Sequence, residues 1–232
     1  MEQLVLDMGL MARPTLDNFL GDDNAMALDY LRFNVARPYD SGTRNPVPVL
    51  LWGESGSGKS HLLHAVRDAL VAQGEAVGWL AADTPAPLIF HEEWSAILMD
   101  DCDLYRPDLQ AAAFSWFVQA QAPASGRPRW IVATSSLPPA DMPVRDDLRT
   151  RLAWGHVFKL EGLPETTRQA VLQQAAQARG LDLPDDVVRF MLSRFSRDLS
   201  SLMVLLDHLD SYALQTQRPI TIPLLKAMLA QA

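Results

Sequence analysis

A phosphate-binding loop constrains this chain more than any other feature of its sequence. Residues 53–60 read GESGSGKS and fit the pattern G-x-x-x-x-G-K-[ST]. An apolar run at residues 49–52 is typical of a buried strand, and the apolar spacing of residues 61–67 predicts a helix after the loop. A strand, a glycine loop and a helix in this order suit an anion, because inward-facing N–H groups and the positive end of the helix both favour negative charge. This context counts against the alternative of a glycine-rich turn with no ligand.

The residues of the loop have different expected roles. We expect the amino group of Lys59 to reach the β- and γ-phosphates of a nucleotide, and the hydroxyl of Ser60 to bind Mg²⁺. The candidate phosphate-binding set comprises Gly53, Glu54, Ser55, Gly56, Ser57, Gly58, Lys59, Ser60 and His61.

Two adjacent carboxylates end another strongly apolar segment. Residues 96–99 are apolar, and Asp100 and Asp101 follow them directly. Two acids after a strand more often signal a turn when they stand alone. With the glycine loop upstream, they fit a Walker B strand, in which an acid helps to hold Mg²⁺ beside the phosphates. We therefore assign Asp100 to the metal, together with Ser60, and Asp101 to orienting or activating a water.

The rest of the chain alternates strands with helices to about residue 161 and then contains helices alone. Further strands are predicted at residues 75–82, 130–134 and 157–160, and helices at residues 109–121 and 146–151. Four helices are predicted after residue 163, with Thr221 capping the last one. The pattern predicts an α/β domain with a parallel five-stranded sheet, followed by a small all-α domain.

Two polar segments each have two interpretations. Residues 134–136, at the end of a predicted strand, could contact a γ-phosphate or cap the next turn. Near the start of the chain, apolar residues closely follow a glutamine, and this pattern fits either a frayed edge strand or a short peptide that docks on a partner. The residues concerned are Gln3, Leu4, Leu6 and Met8.

Composition limits the function classes. The 232 residues are 48% hydrophobic, which supports a packed core, and the net charge of −8 gives no footprint for duplex DNA. Cys102 is the single cysteine, so an internal disulfide is impossible. The sequence lacks both a signal-peptide layout and an apolar run of about 18 residues. We therefore expect a cytoplasmic protein that does not enter membranes.

These parts, in this order, resemble the AAA+ module of the DnaA family. Residues 16–20, LDNFL, resemble the segment that borders the adenine in that family, which adds Asn18 and Leu20 to the candidate nucleotide ligands. Residues 148–155, LRTRLAWG, resemble its arginine-finger box and make Arg151 the candidate finger, acting in trans. The resemblance to the Hda family of DnaA-related regulators is greater. It covers nearly the whole chain and includes residues 60–65, 181–187 and 221–223.

The resemblance to the Hda family implies a domain plan. Residues 1–14 would hold a sliding-clamp-binding peptide and a linker, residues 15–161 the AAA+ nucleotide-binding domain, and residues 162–232 the helical lid. The sequence contains no basic helix-turn-helix after the lid, so we expect no sequence-specific DNA binding. The sensor 2 arginine of the family is replaced by Ser200, with Arg197 one helical turn earlier as its possible substitute and a candidate nucleotide ligand.

The implied function is negative regulation of replication initiation. An ADP-bound chain would dock on the DNA-loaded sliding clamp of DNA polymerase III and supply Arg151 to ATP held by DnaA. The implied cofactors are ADP or ATP with Mg²⁺, the intrinsic ATPase would be weak or absent, and a homo-oligomer is compatible with the family. The alternative of a different class is an autonomous AAA+ ATPase of the helicase-loader type.

Overall fold

The computed structural model describes residues 14–42, 44–123, 126–195 and 199–230. Its contacts divide these residues into two compact units. One unit is Pro14–Gly162, and the other contains the chain from residue 163 onward.

Five parallel strands form the sheet of the first unit. They are β1 (Val49–Trp52), β2 (Ala76–Leu80), β3 (Trp94–Met99), β4 (Trp130–Ser135) and β5 (His156–Lys159). Their order across the sheet is β2-β3-β4-β1-β5, and every neighbouring pair is parallel. The predicted parallel five-stranded sheet is therefore confirmed. Because all strands point the same way, the segments that follow β1, β3 and β4 meet at one edge of the sheet.

Helices cover both faces of this sheet. The unit contains α1 (Ala25–Val35), α2 (Lys59–Ala72), α3 (Pro107–Gln121) and α4 (Asp146–Leu152). Side chains alternate along β1, so Leu51 packs in the cluster with α1 and α2, whereas Leu50 packs in the cluster with α3 and α4. A sheet buried on both faces explains why its strands appear in the sequence as continuous apolar runs.

The second unit is all-helical, as predicted. It consists of α5 (Glu165–Ala178), α6 (Asp185–Arg194), α7 (Leu199–Thr216) and α8 (Ile222–Leu229) around an apolar core of its own. The hydroxyl of Thr221 accepts a hydrogen bond from the N–H of Leu224 at 3.3 Å, which confirms the predicted cap of α8. In the described residues, every helix is too short or too polar to cross a membrane.

A buried ion pair connects the loop before β1 to the start of β2. The guanidinium of Arg44 binds both carboxylate oxygens of Glu75, at 2.6 and 2.7 Å. Ser95 also donates its hydroxyl to Glu75 at 2.6 Å, and Tyr39 donates its backbone N–H at 3.0 Å. Burial alone would raise the pKa of Glu75, but the bonds from Arg44, Ser95 and Tyr39 lower it overall. The carboxylate therefore contributes stability only while it is ionised.

Replacing Glu75 with glutamine should destabilise the protein by about 3 kcal/mol at pH 7, because it leaves the Arg44 guanidinium buried without its counter-charge. The folded pKa of Glu75 lies below its ordinary value of 4.5, so its contribution is complete above that value and is lost as the pH falls through the folded pKa. Urea unfolding measures the free energy of unfolding of both proteins from pH 7 to pH 3. The difference between wild type and Glu75→Gln should become smaller as the pH falls. The control is Asp17→Asn, which breaks an exposed pair with Arg32 and should cost less than about 1 kcal/mol. A gap that stays constant with pH would contradict this assignment.

Candidate functional site

The phosphate-loop sequence forms the connection between β1 and α2. Gly53 donates its N–H to the carbonyl of Ser135 at 3.2 Å, which joins the start of the loop to the end of β4. A Cβ on Gly53 would lie 2.4 Å from the carbonyl oxygen of Leu160, so only glycine fits this position. The amino group of Lys59 is buried within the loop and donates to the carbonyls of Gly53 and Glu54, at 2.8 and 3.0 Å. The loop thus curls around the cation that we expect to contact phosphate.

The predicted adenine-bordering segment packs against the same loop. Gly58 has a φ of +91°, and a Cβ there would lie 2.5 Å from a ring carbon of Phe19. His61, in the first turn of α2, contacts the carbonyl of Thr15 through Nε2 at 3.1 Å, and its ring lies 5.7 Å from that of Phe19. Asn18 is fixed by reciprocal side-chain to backbone hydrogen bonds with Thr15, at 2.9 and 3.1 Å.

Asn18 and Leu20 directly precede and follow Phe19, the residue whose ring packs against Gly58 of the loop. Leu20 is 43% exposed and is available to a ligand. Both residues remain predicted adenine contacts.

The two predicted acids follow β3 and are connected to both neighbouring elements. Asp100 accepts the hydroxyl of Ser60 at 3.2 Å and the hydroxyl of Thr134 at 2.6 Å. Thr134 in turn accepts the backbone N–H of Asp101 at 2.7 Å. One buried threonine hydroxyl at the end of β4 therefore fixes the positions of both acids. The sequence indicated either a phosphate contact or a turn cap for Thr134. Its hydrogen bonds to both acids were not predicted.

Asp101 has properties suited to proton chemistry. Its backbone is left-handed, with a φ of 48°, which is uncommon for a residue other than glycine. Burial raises the pKa of its carboxyl, the nearby charges of Asp100 and Asp103 raise it further, and Lys59 lowers it. A carboxylate with a raised pKa accepts a proton from water more readily than an ordinary aspartate. These features suit the predicted role of orienting or activating a water.

The other polar residues at the end of β4 serve the local structure. The hydroxyl of Ser135 donates to the carbonyl of Leu137 at 2.8 Å and accepts its N–H at 3.0 Å. Ser136 donates both its N–H, at 3.0 Å, and its hydroxyl to the buried carboxylate of Asp103. Of the two sequence interpretations, the geometry therefore favours turn capping for Ser135 and Ser136. Asp103 was missed because nothing in its local sequence separates a structural acid from the acids beside it.

These residues fit a nucleotide with Mg²⁺. The loop supplies backbone N–H groups and a lysine for phosphates, while Ser60 and Asp100 supply two oxygens for a metal. The hydroxyl of Ser57 is buried in the loop without a hydrogen-bond partner, as expected for a group that a ligand would satisfy. Among the described residues, no cluster of three or more His, Cys, Asp and Glu side chains could hold a metal. Mg²⁺ is usually bound by only one or two protein ligands, and phosphate and water oxygens complete its coordination shell.

The arginine-rich helix α4 lies on the other face of the sheet from α2. The guanidinium of Arg151 lies over the rings of Phe114 and Phe117, at 5.1 and 5.9 Å from their centres. Arg149 binds Asp146 at 2.6 Å, and Arg145 binds Asp147 at 2.7 Å. Arg151 differs from these two arginines, because its guanidinium forms neither a hydrogen bond nor an ion pair with any residue of the described ranges.

Some predicted site residues cannot be placed in this geometry. Arg197 and the N-terminal peptide that carries Gln3, Leu4, Leu6 and Met8 lie outside the described residues. Ser200 belongs to the first turn of α7.

Comparisons with known proteins agree on the fold. Residues 165–229 match the family model described as the lid domain of Hda. Domain III of the replication initiation protein DnaA from Thermotoga maritima matches with a TM-score of 0.71 and 21% identity, over 95% of this chain and 97% of that chain. AMPPCP-bound DnaA from Aquifex aeolicus matches with a TM-score of 0.63 and 20% identity, over 87% of this chain and 66% of that chain. The Thermotoga maritima RuvB branch migration motor matches with a TM-score of 0.62 and 13% identity, over 94% and 71% of the two chains. The chain therefore shares its fold with DnaA and RuvB, and its second unit matches the lid domain of Hda.

Replacing Thr134 with valine tests the hydrogen bonds that fix the two acids. Valine keeps the shape but removes the hydroxyl, so the N–H of Asp101 loses its partner and Asp100 keeps only the bond from Ser60. We expect a loss of about 1–3 kcal/mol in the free energy of unfolding. Nucleotide affinity should fall with Mg²⁺ present and stay near that of wild type in EDTA, as measured by calorimetry.

Thr216→Val is the matched control, because that hydroxyl donates only to carbonyls of its own helix, those of Tyr212 and Ala213. It should change neither quantity appreciably. Equal loss of affinity for Thr134→Val with and without Mg²⁺ would contradict the assignment of Asp100 to the metal.

Proposed function

We propose that this chain, a DnaA-related protein with an AAA+ core and an Hda-type lid, is a negative regulator of DNA replication initiation. It holds ADP, with Mg²⁺, at its own phosphate loop and docks on the DNA-loaded sliding clamp. There it supplies Arg151 to ATP bound by DnaA and stimulates hydrolysis of that ATP. The observation that carries the proposal is the guanidinium of Arg151, which aromatic rings support and no described carboxylate neutralises.

The position of Arg151 supports action on another subunit. Arg151 lies in the last turn of α4, which leads through Gly155 into the amino end of β5. Gly155 packs against Pro48, just before β1, whereas the phosphate loop begins after β1. The four residues of β1 lie between Pro48 and Gly53, so these two points are roughly 16 Å apart at about 3.3 Å per residue. The end of α4 thus lies near the opposite edge of the sheet from the chain's own phosphate loop.

A finger in this position would act electrostatically. A phosphoryl group in transfer carries charge on its equatorial oxygens, and an arginine from a neighbouring subunit stabilises that charge by positioning and attraction alone. The stack on Phe114 suits this role, because it holds the guanidinium without using its N–H donors. A carboxylate partner would occupy those donors and cancel the charge.

In this proposal, the nucleotide that the chain itself binds has a mainly structural role. In the Hda-like reading, Gly53–Ser60 and His61 hold the phosphates, Ser60 and Asp100 hold Mg²⁺, and Asn18 and Leu20 border the adenine. Ser200 occupies the sensor 2 position, where the family has an arginine, and Arg197 would take over the role of that arginine. The weak intrinsic ATPase expected from the resemblance agrees with Ser135 and Ser136, whose hydroxyls are engaged in local turns.

The proposed site of action is the cytoplasm, where DnaA and the polymerase clamp work. The clamp contact is assigned to the N-terminal peptide with Gln3, Leu4, Leu6 and Met8. Assembly of several copies on one clamp is compatible with this arrangement.

The second candidate is an autonomous AAA+ ATPase of the helicase-loader type. The feature that favours it is Asp101, because its raised pKa and fixed position suit activation of water at the chain's own nucleotide. Such an enzyme would hydrolyse ATP at a substantial rate without clamp or initiator. An ATPase assay of the purified chain, with and without both partners, separates the two candidates.

Replacing Arg151 with alanine should abolish stimulation while leaving the chain's own nucleotide binding intact. Fingers supplied in trans contribute on the order of 10³–10⁵ in rate, so we expect DnaA-bound ATP to be hydrolysed at close to its unstimulated rate. The measurement is single-turnover release of phosphate from DnaA in the presence of DNA-loaded clamp.

The matched control is Arg149→Ala, two residues away on the same helix, which removes a cation already neutralised by Asp146. It should retain most of the stimulation. Normal stimulation by Arg151→Ala would contradict the assignment of the finger, whatever Arg149→Ala does.

Deleting residues 3–8 should abolish association with the clamp, because the apolar side chains that would fill its pockets are removed. The free energy of unfolding should stay near that of wild type. Surface plasmon resonance on immobilised clamp measures the first quantity and urea unfolding the second. Clamp binding by the deleted chain with undiminished affinity would rule out this peptide as the docking segment.

A further inference from the structure

Trp154 is a large aromatic side chain held outward on a rigid turn. Its side chain is among the most exposed large apolar groups of the described residues, at 69%. The backbone N–H of Trp154 donates to the carbonyl of Arg151 at 3.2 Å, and this bond holds Trp154 against the end of α4. On the other side, a Cβ on Gly155 would lie 1.9 Å from the carbonyl oxygen of Pro48, and His156 donates its N–H to that same oxygen at 2.8 Å. The indole therefore projects from a fixed backbone and not from a loose loop.

The indole lines a cavity with the proposed finger. The cavity is a depression wide open to solvent with a volume of about 730 Å³, and its lining residues are Asp146, Asp147, Thr150, Arg151 and Trp154. Both carboxylates form ion pairs with arginines that do not line the cavity, Asp146 with Arg149 and Asp147 with Arg145. Among the described residues, the lining charge without an ion-pair partner is the guanidinium of Arg151, so the cavity presents one unpaired cation beside one indole.

This combination is typical of the centre of a protein interface. Tryptophan and arginine are enriched among the residues that dominate binding energy, and a fixed aromatic ring loses little conformational entropy on docking. The cation also sets the sign of the partner's charge, because a surface that covers Arg151 closely must bring an anion to it. A subunit that presents bound nucleotide at its surface supplies that anion.

We propose that Trp154 is the docking anchor for the nucleotide-holding face of DnaA, buried in the contact that brings Arg151 to the triphosphate. The inference rests on the proposed function and adds a division of roles between two neighbouring residues. Trp154 supplies binding energy and touches no reacting atom, whereas Arg151 acts on the transferred group. Trp154 therefore sets the concentration at which stimulation occurs, and Arg151 sets the maximal rate.

The test is a titration of the chain against a fixed amount of ATP-loaded DnaA on DNA-loaded clamp. Trp154→Ala should raise the half-maximal concentration about tenfold or more and leave the plateau of stimulated hydrolysis near that of wild type. Trp154→Phe should fall between the two, because it keeps part of the apolar contact. Arg151→Ala should lose the plateau.

Val71→Ala is the matched control, because it removes an exposed apolar side chain from α2 on the other face of the sheet. It should titrate as wild type. Thr150→Glu is the second variant, since Thr150 is exposed and lines the cavity, and a carboxylate there should repel the nucleotide. It should raise the half-maximal concentration even if Trp154→Ala does not fold, and nucleotide binding by each variant reports its folding.

The outcomes distinguish this inference from the proposed function. Unchanged half-maximal concentrations for folded Trp154→Ala and Thr150→Glu would overturn the anchor and leave the regulator intact. A lower plateau with an unchanged half-maximal concentration would also overturn it, because Trp154 would then act in the hydrolysis step. Absence of stimulation by the wild-type chain would overturn the proposed function itself.

Discussion

The hydroxyl of Thr134 is the point on which the geometry of the candidate nucleotide site depends. It donates to Asp100 and accepts the N–H of Asp101, and Asp100 also accepts the hydroxyl of Ser60 from α2. These bonds connect the ends of β3 and β4 to the helix that follows β1. They are possible only because three parallel strands end at the same edge of the sheet. The strand order, with β3, β4 and β1 as neighbours, therefore determines the spacing of the groups proposed to hold phosphate and Mg²⁺.

The same sheet separates two kinds of chemistry. At the carboxyl edge the chain offers backbone N–H groups, Lys59 and acids, a set that suits retention of a nucleotide. Toward the amino edge, the end of α4 offers a supported cation and an exposed indole, Arg151 and Trp154. One molecule with both ends can hold its own nucleotide and act on that of a neighbour. In the proposed function, this arrangement would let a nucleotide-binding fold act on the ATP held by another protein.

The sequence predicted those features that depend on short stretches of the chain. The GESGSGKS loop lies between a strand and a helix as expected, and the two acids follow their apolar strand, because each pattern is local and its physics is local. The parallel five-stranded sheet and the helical lid followed from the change in periodicity near residue 161. Long-range pairings could not be predicted in this way. The wedge of Phe19 against Gly58, the support of Arg151 by Phe114 and the pairing of Ser136 with Asp103 each join residues more than 30 positions apart.

The central claim is that the guanidinium of Arg151 acts on a triphosphate held by DnaA. The most direct measurement loads DnaA with ATP labelled at the γ-phosphate, loads this chain with unlabelled ADP, and follows release of the label on DNA-loaded clamp in a single turnover. The account predicts rapid release with the wild-type chain and release at the unstimulated rate of DnaA with Arg151→Ala. Equal release with both chains would contradict it.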